Sequence, residues 1–273
     1  MPVIFPSGYA LPSGDRPLDH ARIAHAGNWI SGSPAASSVS ALEIYDVAAP
    51  ANDALFERWK PASLPATWDL GALGGVTLDY CAIAAHDLGA TGATVSVELE
   101  VSGVGWVVVK SGFVPTSDAP ILILFEPVSN VIAARISISG STPPAIGWIR
   151  FGVALQMETR ATFPGRVPFA LARARTVSAN VSIRGNPLAQ ILARSGRSLS
   201  FKWTGLTEAW VVAELPAFLS AIEAAPFLIA ERPGVYPEDV ALCWLAGERP
   251  RPPASGSMDL HDLTLSAEAL DDG

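Results

Sequence analysis

Thr94-Val95-Ser96-Val97-Glu98-Leu99-Glu100-Val101 alternates polar and apolar residues over eight positions, and that period of two decides the fold class. Successive side chains of a strand point to opposite faces, so the stretch reads as a strand with one buried face and one wet face. Arg135-Ile136-Ser137-Ile138-Ser139 and Leu263-Thr264-Leu265-Ser266-Ala267 repeat the pattern. The unbroken apolar runs Ile121 to Phe125 and Val107 to Val109 read instead as strands covered on both faces. One helix stands out from Leu215 to Ala225, where Leu215, Phe218, Leu219 and Ile222 fall at i, i+3, i+4 and i+7 before Pro226 ends it. Elsewhere 23 prolines and 23 glycines leave little room for long helices. The chain is expected to be mainly β.

Composition narrows the class. Of 273 residues, 49% are hydrophobic and 16% charged, which excludes intrinsic disorder. The mean hydropathy of +0.33 raises the question of a membrane span. The longest candidate, Leu215 to Ala230, is broken by Glu223 and Pro226 and falls short of the roughly 20 residues a spanning helix needs. The opening residues Met1 to Pro17 have no basic n-region and contain several prolines, so no signal peptide is expected. Cys81 and Cys243 are expected to be two buried free thiols rather than a disulfide. A net charge of −8 argues against general nucleic-acid binding.

Charge also divides the chain. From Thr159 to Thr207 there are eight basic residues (Arg160, Arg166, Arg173, Arg175, Arg184, Arg194, Arg197 and Lys202) and no acid, against 26 acidic residues elsewhere. The arginines of this stretch are expected to face an acidic surface of a neighbouring copy, because segregated charge favours head-to-tail contacts that close into rings. A boundary is placed near residue 158, giving an N-terminal segment 1–26, a first β domain 27–157 and a β-rich assembly domain 158–273. The N-terminal segment is expected to belong with the assembly domain, with the first β domain inserted into it or packed beside it.

The first domain resembles the discoidin (F5/8 type C) jelly-roll family. The residues that carry the resemblance are Ala36-Ser37-Ser38, Trp59-Lys60-Pro61 and Trp68-Asp69-Leu70-Gly71, followed by the strand Val76 to Ala84. Val95 to Trp106, Ala134 to Ile138 and Ile146 to Ile149 then match the later hairpin and the closing strands in order. The resemblance implies a galactose-binding-like sandwich that binds rather than catalyses. It carries no sugar site across, because ligands of this family sit on variable loop tips. The chain departs from the family at Ser102-Gly103-Val104-Gly105, which lacks the aspartate of the hairpin step. Read from the residues alone, Trp59, Trp68 and Trp106 are expected to supply the large apolar mass between two sheets.

Catalytic signatures are sparse. His20, His25, His86 and His261 show no metal-ligand spacing, and there is no nucleophile elbow or phosphate loop. His86-Asp87 reads as a turn. Glu98 and Glu100 share a strand face, but no third group is present to separate their acidities, so they read as a solvated face rather than a carboxylate dyad. No enzyme activity, cofactor or metal is expected.

From Arg160 onward the sequence resembles distal tail or baseplate hub proteins of long-tailed phages. The matching stretches are Asn180 to Gly185, Leu199 to Trp203, Leu206 to Trp210, the helix from Leu215, Pro226 to Ile229 and Pro237 to Trp244. That resemblance implies a ring homo-oligomer, hexamer or trimer, at the virion tail tip, assembled in the host cytoplasm with tube and hub proteins as partners. The alternative reading is a carbohydrate- or receptor-binding protein acting through the jelly roll, with a host surface glycan as ligand.

Overall fold

The computed structural model describes residues 2–7, 9, 17–162, 167–255 and 259–270. In chain order the strands begin with β1 (Val3–Ile4), β2 (Arg22–Ala24), β3 (Ser33–Ala36), β4 (Ala66–Gly71) and β5 (Val76–His86). A single helical turn, α1 (Leu88–Thr91), leads to β6 (Thr94–Val101), β7 (Gly105–Phe113), β8 (Ile121–Ser139), β9 (Ile146–Gly152) and β10 (Leu155–Gln156). Then follow β11 (Arg173–Val181), β12 (Pro187–Thr207), the helix α2 (Glu208–Ala224), β13 (Phe227–Ala230), β14 (Val240–Leu245), β15 (Ala254–Ser255) and β16 (Leu260–Ala269).

The first sheet closes into a sandwich because its longest strands bend. The first half of β8 pairs with β5, which pairs on its other edge with β9. The second half of β8 pairs with β4 and β6, setting Ile136 between Trp68 and Val97. Register shifts between Val76 and Tyr80 in β5, and a left-handed Asn130 (φ 58°) in β8, mark the bend, as bulges re-aim a strand. One layer therefore reads β1-β8-β5-β9 and the other β3-β4-β8-β6-β7. Between them Trp59, Trp68, Ile83, Leu99, Ile136 and Phe151 are fully buried. Burying each such aliphatic or phenyl group is worth roughly 1.5–3 kcal/mol. The protein is mainly β, and this part of it is a jelly-roll sandwich.

The second sheet runs β10-β2-β13-β14-β16-β12-β11. Leu215, Phe218, Leu219 and Ile222 of α2 pack on one of its faces against Phe201, Trp203, Leu263 and Leu265. Its other face sets Ala24, Leu228, Ala230 and Leu242 against Tyr80, Ala82, Leu122 and Trp148 of the sandwich. The molecule is thus a stack of four layers: helix, sheet, then the two sandwich layers. Ile121 to Phe125 is buried throughout, with alternate side chains serving the cores above and below.

Several expectations are corrected. The helix spans Glu208–Ala224, 17 residues, and begins seven positions before Leu215. Thr207 caps it by accepting from the Trp210 N–H, and Glu158 in turn binds Thr207 through its N–H and hydroxyl. Pro216 lies inside it. Val107 to Val109 is not covered on both faces: among the described residues β7 is an edge strand paired only with β6, and Val108 is 58% exposed. Trp106 on the same strand is 38% exposed and is not core, because among the described residues no layer lies over that face of the edge.

The N-terminal segment does not move as one piece. Val3–Ile4 adds in parallel to β8, covering an edge of the sandwich that would otherwise leave unpaired backbone groups. Arg22–Ala24 joins the second sheet beside β13. The chain leaves that sheet at β2 and returns to it at β10, with Ile23 opposite Leu155, so the jelly roll lies between two neighbouring antiparallel strands of the other sheet. Cys81 and Cys243 form no disulfide and are buried in separate cores, and burial pushes the Cys81 thiol above its usual range.

Candidate functional site

The open face of the outer sandwich layer carries the most organised polar cluster outside the cores. Alternation along β6 turns Val95, Val97 and Leu99 inward and leaves Ser96, Glu98 and Glu100 on the wet side. The register fixes their neighbours. Asp69 on β4 lies opposite Arg135 on β8, Arg135 opposite Glu98 on β6, and Glu100 opposite Trp106 on β7. Strands spaced about 4.8 Å apart therefore present one acid–base–acid row with an indole beside it.

Arg135 ties this row together. Its Nε lies 3.1 Å from Asp69 Oδ1 and its Nη1 3.9 Å from Glu98 Oε2. Its guanidinium carbon sits 3.3 Å from the centroid of the Trp106 ring, a cation stacked on a π face. The Ser137 hydroxyl donates to Glu98 (3.1 Å) and the Thr67 hydroxyl to Asp69 (3.1 Å). Each carboxylate is thereby fixed in place while retaining further lone pairs. The cluster holds Asp69, Glu98 and Glu100 against one arginine, so it is net negative.

A second concavity of about 600 Å³ lies between α2 and the strand ends, lined by His20, His25, Asn28, Gln156, Glu158, Trp210 and Glu214 among others. Much of its polar lining serves the fold. Glu158 holds the α2 cap. His20 donates to the Met157 carbonyl (2.9 Å). The Asn28 amide bonds the Ile23 carbonyl and the His25 N–H and accepts from the Tyr80 hydroxyl.

The residues singled out from the sequence are dispersed. Trp59 and Trp68 are fully buried, their indole N–H groups donating to the carbonyls of Ser38 (2.9 Å) and Val47 (2.8 Å). Arg160 pairs with Asp19 of its own chain (3.3 Å). Arg166 lies outside the described residues. Arg173 and Arg197 stand opposite one another at the base of the β11–β12 hairpin, Arg175 and Arg194 lie two and three pairs further along, and Arg184 is exposed in the turn. His86 ends β5 with Nδ1 accepting from the Leu88 N–H (3.3 Å), and burial lowers its pKa to about 4. Burial holds His25 at about 4 as well. His261 is raised chiefly by its hydrogen bond to Glu208. Among the described residues no group of three or more metal-ligating side chains converges.

Sequence reading missed Arg150. It is 4% exposed and its guanidinium donates to the carbonyls of Pro50 (2.6 Å) and Asn52 (2.7 Å) and to the Asp53 carboxylate (2.8 Å). Trp29 and Trp148 flank it at 4.6 and 5.0 Å. The only signal was one charge inside the apolar run Ile149-Arg150-Phe151, which a buried, fully bonded cation explains.

No family model matches the chain, and no curated protein matches it. Solved structures similar to part of it include a pectin-binding carbohydrate-binding module, 17% identical, covering 45% of this chain and 91% of that one at a TM-score of 0.40. A chitosan-binding module from a Paenibacillus chitosanase/glucanase is 12% identical, covering 45% and 95% at 0.38. A module from Clostridium perfringens, solved with GalNAc-β-1,3-galactose, is 9% identical, covering 44% and 94% at 0.38. The jelly-roll assignment rests on the strand order and the two-layer core described above.

Proposed function

We propose that the chain is a carbohydrate-binding protein without catalytic activity, and that it binds on the open face of the jelly roll. The observation that carries this reading is Trp106, exposed on an edge strand yet fixed by the Arg135 guanidinium within a row of carboxylates. A pyranose ring offers an apolar C–H face and a rim of hydroxyls. An indole takes the first, and carboxylates with a guanidinium take the second, each carboxylate accepting from two hydroxyls. Because Asp69, Arg135 and Glu98 already hold one another, little side-chain freedom is lost on binding. The excess negative charge favours neutral or amino-bearing sugars over uronic acids. The tail-tip reading rests on resemblance in the second half alone, and no structural observation favours it.

Titration calorimetry against neutral, amino-bearing and uronic-acid oligosaccharides tests the proposal. Binding of the first two classes is expected, with Trp106→Ala weakening it at least tenfold, a loss of about 1.4 kcal/mol. Failure to bind any of them, or binding indifferent to Trp106→Ala and Arg135→Ala, would remove the reading. Release of reducing sugar from the bound oligosaccharide would refute the non-catalytic part.

A further inference from the structure

We propose that the β11–β12 hairpin is an assembly arm that docks on the acidic, apolar β3–β4 connection of a second copy of this chain. β12 is 21 residues long, but it pairs with β16 only from Arg197 onward. From Ala174 to Gly196 the two strands pair, among the described residues, only with each other, a ribbon roughly 25 Å long at about 3.3 Å per residue. None of the residues of this ribbon whose side chains are described is buried, and Val177, Ile183 and Leu188 are exposed. A two-stranded ribbon without a third strand is marginal in water by itself. Five arginines and no acid occupy Arg173 to Arg197, so the hairpin offers positive charge to an acidic surface.

The chain presents such a surface elsewhere. The connection between β3 and β4 holds Leu42, Ile44 and Phe56 outward, the last two 73% and 84% exposed. Glu43, Asp46 and Glu57 are exposed among them, while the adjacent bases Arg58 and Lys60 are half-buried, Lys60 over the Tyr45 ring. Soluble monomers seldom hold several large apolar side chains exposed in one place. This loop does so rigidly, because Arg150, Trp59 and Trp68 bond its backbone from below. Arm and loop are thus complementary in two respects, arginine to carboxylate and apolar to apolar. As they are different surfaces of one chain, the contact is heterologous and propagates until rotation closes a ring. Apolar contact supplies the affinity and charge the register.

Light scattering on the full chain, at high concentration and low salt, reads the outcome. The wild type is expected as a closed multiple of 28.5 kDa. Replacing the ribbon beyond Arg175 and Arg194 by a two-residue turn, or introducing Arg173→Glu with Arg184→Glu, is expected to give a folded single-chain mass. Adding Glu43→Arg and Glu57→Arg to that reversed arm is expected to restore the multiple. A wild type that stays at one chain's mass overturns the proposal. So does an arm-shortened protein that still assembles, or a charge swap that fails to rescue.

Discussion

Two apolar runs of similar composition end in opposite environments. Ile121 to Phe125 in β8 is buried along its whole length, while Val107 to Val109 in β7 lies largely open to water. The difference is one of neighbours. β8 has β5 on one side, β1 on the other and the second sheet above; β7 has β6 alone. An apolar run reports that a strand could be covered, and its place in the sheet decides whether it is.

Substitutions that carry charge or cavities into the two regions sharpen the contrast. Leu122→Asp, which places a carboxylate between the stacked sheets, is expected to leave no folded protein by circular dichroism, since an unpaired buried charge costs more than a domain's usual 5–15 kcal/mol margin can spare alongside the lost packing. Trp68→Ala is expected to cost about 3–5 kcal/mol in urea unfolding, through the cavity and the unbonded Val47 carbonyl; an unchanged midpoint would mean the sandwich core does not depend on it.

Acidity probes the same division between enclosed and open strands. His25 and His86 are held neutral, with pKa values of about 4, whereas the unfolded chain takes up the protons near 6.5. Between those values the unfolded state binds more protons, so stability falls as pH drops from about 6.5 to about 4. The expected loss is on the order of 3 kcal/mol per histidine and levels off below pH 4. His25→Gln and His86→Gln should each flatten part of that slope; an unaltered slope in both single variants would show that these imidazoles are not the cause. The smallest effect is expected at Val108→Asp, within about 0.5 kcal/mol of wild type. A large loss there would mean β7 is covered in solution.

The strands were legible where one face is wet. Thr94 to Val101 and Arg135 to Ser139 read correctly because water enforces the period of two. The apolar stripe of α2 was equally plain, and all four of Leu215, Phe218, Leu219 and Ile222 are buried. Its first two turns were not, since Pro216 hid the continuity and the cap depends on Glu158, 49 residues distant from Thr207. Glu98 and Arg135 were visible as residues of adjacent alternating strands. Their meeting over Trp106 was not, because it follows from a register that joins β4, β8, β6 and β7. Trp106 itself was misassigned to the core, for size and aromaticity are shared by interior and surface tryptophans.

Arg150 has a consequence for how this molecule comes apart. The connection from Ser37 to Pro65 is far longer than most loops between strands, and such segments ordinarily open to proteases long before the body melts. Here a cation rooted in β9 grips Pro50, Asn52 and Asp53 near the middle of that connection, dividing one long tether into two short ones. Local breathing of the loop then requires β9 to let go, so nicking should track global unfolding in the native chain. In Arg150→Met the two should separate, with cleavage within the loop at a denaturant concentration where the sheets still hold.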